Sequence, residues 1–135
     1  LLCLAGLASG AWAAELEVSD PWIRLIPGGA PAGGYFTLRN GTNQPAVLVG
    51  ATSSAFNHVM MHRTTEEKGL SRMLPVDRVE VPAGGTLAFA PSGYHLMLTK
   101  PSRKVAVGDR VAITLEVTGG HKITAQFEVR GPAGQ

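Results

Sequence analysis

Cysteine is almost absent from this sequence. Its single example, Cys3, lies in an apolar opening stretch, LLCLAGLASGAWAA, at residues 1–14. That stretch ends in Ala11-Trp12-Ala13, a small-x-small cleavage pattern, and reads as the remnant of a secretory signal peptide. Its removal leaves no thiol, which excludes disulfides, thiolate zinc sites and a cysteine nucleophile. Cys3 follows Leu2 instead of the small residue that lipoprotein processing needs, so a lipid anchor is not expected. Long apolar runs are missing after residue 14, and the opening run is itself too short to cross a bilayer, so no membrane span is expected. Charge is sparse too: twelve Lys and Arg against ten Asp and Glu leave a net +2 with His neutral. The basic residues are scattered and form no continuous patch, which argues against nucleic acid as a partner. No Ser-His-Asp order, paired carboxylate motif or Gly-rich phosphate loop is found, so nothing argues for an enzyme.

What the chain does have is a succession of short β-type runs between turn signals. Strands are expected near residues 16–19, 22–25, 34–40, 46–52, 58–64, 70–74, 78–81, 86–90, 94–99, 110–118 and 122–130. Asn40-Gly41, Gly84-Gly85, Gly108-Asp109 and Gly119-Gly120 mark turns, the last closing a C-terminal hairpin, while IPGGAPAGG at 26–34 reads as a connecting loop. Many short strands in one stretch of this length predict a single all-β domain over residues 15–135. Its expected form is a Greek-key sandwich or barrel, cupredoxin-like or immunoglobulin-like, with a monomer expected. Trp22, Tyr35, Phe36, Phe89 and Phe127 are the expected core aromatics.

Histidine and methionine are placed unevenly. In GYHLML (93–98) strand alternation sets Tyr94, Leu96 and Leu98 on one face and His95, Met97 and Thr99 on the other. In HVMMHRTTEEKGLSRML (58–74), His58, Met60 and His62 share a face while Val59 and Met61 point to the core. A turn at Glu66-Glu67-Lys68-Gly69 folds this stretch into a hairpin and brings Met73 opposite or diagonal to His62. Two clusters emerge, His62 with Met73 and His95 with Met97. Two imidazoles and two thioethers suit Cu(I), because thioether sulfur is a soft, neutral donor with little attraction for Zn(II), Mg(II) or Ca(II). Thioethers also survive in an oxidising compartment where paired thiols are lost to disulfides.

The spacing is His62, ten residues, Met73, twenty-one residues, His95-Leu96-Met97. With DPWIR (20–24), PGGAPAGGYFTLRN (27–40) and VPAGG (81–85), it makes the chain resemble the periplasmic copper chaperone family, known as PCuAC, over nearly the whole length after residue 14. That resemblance implies a periplasmic, soluble Cu(I) carrier with His62, Met73, His95 and Met97 as ligands. It also implies an acceptor: the Cu(A) domain of cytochrome c oxidase subunit II, or a thiol-bearing assembly factor beside it. Two features depart from the family. Arg63 stands where a Met often follows the first His, and the chain ends RGPAGQ without a His- and Met-rich tail. Met60 is placed to substitute for the missing Met or simply to pack; His58 and His121 read as surface residues. Lys100, Arg103 and Lys104, directly after the ligand strand, could meet an acidic partner surface. Copper storage and a copper-independent β-sandwich interaction module remain as alternatives, whereas a blue-copper redox protein is opposed by the missing Cys thiolate.

Overall fold

The computed structural model describes residues 15–135, so the expected signal-peptide remnant lies outside the described residues. Ten strands follow one another: β1 (Leu16–Arg24), β2 (Ala32–Asn40), β3 (Ala46–Ser53), β4 (Phe56–Glu67), β5 (Leu70–Pro75), β6 (Val79–Val81), β7 (Thr86–Phe89), β8 (Tyr94–Pro101), β9 (Arg110–Val117) and β10 (His121–Arg130). The domain is all-β, and no helix is present among the described residues. Hydrogen bonding links the strands in the order β5-β4-β8-β7-β2-β1-β10-β9-β3-β6, with β8 also pairing directly with β2. Although β3 and β4 are far apart in that order, they touch, so the sheet folds back over its own inner face.

That inner face is the core. Along β9, Val111, Ile113, Leu115 and Val117 are buried at every second position, the period-2 pattern of a strand covered on one side. They meet Ile23, Phe36, Leu38, Leu48, Leu96, Leu98, Phe127 and Val129. Phe36 stacks on Phe89 at 4.5 Å and meets Phe127 edge-on at 5.9 Å. Asn40 is a fully buried polar side chain beside this core. Its amide donates to the carbonyls of Gln44 (2.7 Å) and Val81 (3.0 Å) while its side-chain oxygen accepts from the Thr42 N–H (3.0 Å). One side chain thereby satisfies the turn after β2 and ties it to β6.

The two strands expected at 16–19 and 22–25 are one strand, β1. A bulge lies between Ser19 and Trp22, with Asp20 at φ 51° and Pro21 inside the irregularity. Proline cannot donate to the ladder, and Asp tolerates the left-handed region, so the break signal at this point re-aims the strand without ending it. The loop expected over 26–34 is shorter, because Ala32, Gly33 and Gly34 already pair with β8. Gly34 permits a close approach there: a Cβ on it would stand 3.1 Å from that of Leu96. The expected turn at 66–69 is tighter than the sequence suggests, since Glu66 and Glu67 remain in β4 and only Lys68 (φ 54°) and Gly69 (φ 78°) form the loop.

Candidate metal centre

β4 lies between β5 and β8, and the registers on its two sides decide which side chains meet. The two-residue loop at Lys68-Gly69 sets Glu67 opposite Leu70, which carries Thr64 to Met73 and His62 to Pro75. Met73 is therefore diagonal to His62 on the same face. On the other side, His62 is directly opposite His95 and Met60 directly opposite Met97. Met61 and Leu96 point the other way, into the core. His62, Met73, His95, Met97, Met60 and His58 thus share the outer face of β5-β4-β8, as strand alternation requires.

The four expected ligands sit at different depths. His62 and His95 are 7% and 6% exposed, Met97 is half-buried, and Met73 is 63% exposed on β5, whose residues are exposed throughout. The imidazoles are buried against each other across the ladder: their ring centres are 5.7 Å apart and their planes inclined at 74°. A metal bonded to one nitrogen of each ring would stand roughly 3 Å from each ring centre, given metal–imidazole bonds of about 2 Å. The observed separation lies within that reach.

Protonation in the pair is constrained. His95 Nδ1 lies 3.3 Å from the carbonyl oxygen of Gly93; when Nδ1–H donates there, the Nε2 lone pair is left outward for a ligand. Nδ1 of His62 is buried with no hydrogen-bond partner. Burial holds the His62 pKa below its ordinary value of 6.5, and the neighbouring His95 lowers it further. Both effects keep the ring neutral, the form that binds a metal. Among the described residues, no three His, Cys, Asp or Glu side chains gather where they could hold an ion, so any centre here must draw on thioether sulfur.

Beyond Met97 the same face changes character. Met97 pairs with Gly33 on β2, and the Tyr35 hydroxyl lies over Gly33: a Cβ built there would stand 2.5 Å from it. Tyr35 meets Trp22 at 4.8 Å; the Arg24 guanidinium is 5.7 Å from both rings, and that of Arg130 is 5.1 Å from Trp22. Burial raises the Tyr35 pKa, partly offset by Arg24. Of the five expected core aromatics, Phe36, Phe89 and Phe127 are in the core cluster; Tyr35 is buried too, at 7% exposure, but packs against half-buried Trp22 on this outer face. Adjacent residues on a strand must point apart, so the dipeptide Tyr35-Phe36 already carried that information. Arg63 likewise sits one residue from His62 and projects to the opposite face. A Met in its place would not join the cluster. His58, His121, Lys100, Arg103 and Lys104 are exposed, as expected of surface residues. His121 lines a separate groove of about 760 Å³ with Leu16, Pro45, Val117 and Ile123, which contains none of the four expected ligands.

Comparison with known proteins follows the same outline. Residues 16–129 match the family described as "Putative lipoprotein LpqE-like". A Leifsonia xyli protein named as a lipoprotein, Lxx21020, is 31% identical over 112 residues, spanning 82% of this chain and 67% of its own length. The solution structure of CuI-DR1885 from Deinococcus radiodurans superposes with a TM-score of 0.72 at 32% identity, over 90% of this chain and 83% of that one. The copper-bound PCuAC domain from PmoF2 superposes with a TM-score of 0.73 at 24% identity, over 89% and 96% of the two chains, a likeness of fold. With a family match over nearly all of its described length and the fold of PCuAC domains, the chain belongs to the LpqE-like family.

Proposed function

We propose that this protein is an exported Cu(I) carrier. It holds the ion between His62, His95, Met97 and Met73 and gives it up by ligand exchange. The observation that carries the reading is the direct cross-strand pairing of two buried imidazoles with thioethers on both sides of the pair along the strands. The unpartnered Nδ1 of His62 supports it: an unsatisfied buried polar atom costs about 1–3 kcal/mol, a cost that a bound ion at this ring would offset. Membership of a family whose solved relative is described as a Cu(I) form adds a chemical precedent. A site of four neutral donors binds Cu(I) less tightly than thiolates do, so the ion moves downhill to a site with paired cysteines. The acceptor in this reading is the Cu(A) domain of cytochrome c oxidase subunit II, or a thiol-bearing assembly factor that acts on it. Delivery places the protein in the periplasm. No helix among the described residues is long and apolar enough to cross a membrane.

Titration with Cu(I) against a chromophoric Cu(I) chelator tests the proposal. The parent protein takes up a tightly held, colourless equivalent, and a Met73→Ala, Met97→Ala double variant releases it to the chelator. Absence of uptake would leave a copper-independent β-sandwich module. Uptake without release to an excess of reduced Cu(A) domain would indicate storage instead of delivery.

A further inference from the structure

The outer face of β4 and β8 carries more soft donors than one ion needs. Met60 lies directly opposite Met97, one step along the ladder from the His62–His95 pair, and His58 lies one step further on β4, opposite Thr99. Met60 is 45% exposed and His58 is exposed. With 45% of its surface left in solvent, burial accounts for only part of the placement of Met60.

Two groups of donors on this ladder have the same shape. In the first, a cross-strand pair (His62 and His95) is joined by a residue two positions along one strand (Met97). In the second, a cross-strand pair (Met60 and Met97) is joined by a residue two positions along one strand (His58). Directly opposed side chains have Cβ atoms about 4.5–5.5 Å apart, and alternate residues on a strand are about 6.8 Å apart. The shared ladder register sets the same nominal spacings in the two groups. The second has one imidazole and two thioethers where the first has two imidazoles and one thioether, and both sets are neutral and soft.

We propose that His58, Met60 and Met97 form a second Cu(I) position on the solvent side of the His62–His95 pair, sharing Met97 with it. This rests on the Cu(I) carrier reading above and extends it. Because Met97 belongs to both groups, an ion can pass between them by exchanging the sulfur of Met73 and the imidazoles of His62 and His95 for the sulfur of Met60 and the imidazole of His58 without leaving Met97. No change in oxidation state is involved; donor bonds break and form on a closed-shell ion. The outer position is lined by exposed His58 and by Met60 at 45% exposure, whereas the inner one is closed on its imidazole side by buried His62 and His95.

The four methionines make the test direct, since each ε-methyl gives its own NMR signal: Met60, Met61, Met73 and Met97. Met61 is buried on the core face and serves as an internal reference. The full chain labelled at the methionine methyls is titrated with Cu(I) under reducing, anaerobic conditions. The expected result has two stages. The first equivalent shifts Met73 and Met97; the second shifts Met60, shifts Met97 again and perturbs the His58 ring, while Met61 stays in place. Met60→Leu keeps the first stage and loses the second, and His58→Ala does the same. The proposal is overturned if binding saturates at one equivalent with Met60 unmoved. It is equally overturned if Met60 moves fully with the first equivalent, which would make it a fifth donor to a single ion. Failure of the first stage itself would instead overturn the carrier reading, so the two failures are told apart by which methyls respond.

Discussion

His62 and His95 face each other across β4 and β8 at 5.7 Å between ring centres, and only one of them has a backbone partner for its Nδ1. The asymmetry makes His62 the residue whose structural and chemical roles separate most cleanly. In the apoprotein His62→Leu removes a buried, unpartnered nitrogen and keeps comparable apolar bulk, so urea denaturation should show stability unchanged or raised by about 1–2 kcal/mol. Cu(I) retention should fall at least tenfold in the same variant. A loss of more than about 2 kcal/mol would mean that the imidazole supports the fold.

The depressed pKa of His62 sets a direction for pH dependence. Its folded-state pKa lies below the unfolded value of 6.5, so the folded state binds fewer protons wherever the two differ. Above 6.5 both states are neutral at this residue and its contribution to stability does not change. As pH falls through 6.5 the unfolded chain gains a proton first, so the apoprotein loses stability until the folded-state pKa is passed. A Tm series from pH 8 to 5 should therefore slope downward below 6.5, and less steeply in His62→Leu. Cu(I) affinity should weaken over the acid range as protons compete for imidazole nitrogen, with the thioethers retaining a residual part.

Register supplies a third expectation. Met73 reaches the ligand face only because a two-residue loop at Lys68-Gly69 pairs it with Thr64. Inserting one glycine after Gly69 should slip β5 by one position and turn Met73 to the other face. Cu(I) competition should then report the same loss as Met73→Ala. The Tm should change little, because β5 is exposed along its whole length.

Gly33 is the fourth site. A Cβ there would meet the Tyr35 hydroxyl at 2.5 Å and its ring carbon Cζ at 2.9 Å, so Gly33→Ala must push the phenol aside. Forcing extra volume against packed atoms typically costs about 1–3 kcal/mol. Chemical denaturation should show that loss, and Trp22 fluorescence should change with the loss of its 4.8 Å contact to Tyr35. A silent Gly33→Ala would mean that the ring moves freely.

Alternation made most of this face legible before any coordinates. Placing His62, Met60 and His58 on one side of β4, and His95 with Met97 on one side of β8, needs only the period of a strand and the core preference of Met61 and Leu96. The hairpin turn carried Met73 to its diagonal for the same reason. What the sequence did not disclose is pairing between distant strands: that His62 would lie opposite His95, and Met60 opposite Met97, depends on a β4–β8 register set by the whole core. Depth was hidden as well, since two polar side chains on an outer face read as exposed until each is seen to cover the other. The bulge at Asp20-Pro21 looked like a strand end because proline breaks a ladder locally, whereas at Trp22 pairing resumes with β2 and begins with β10.

The difference in depth between nitrogen and sulfur also imposes an order of events on the proposed carrier. With both imidazoles nearly sealed and the Met73 sulfur at the surface, an incoming thiolate touches the ion from the sulfur side. The first bond to break is then to the Met73 thioether, and the buried imidazoles let go only as another donor takes their place. Release becomes a directional peeling from the surface inward, each protein donor being replaced in turn.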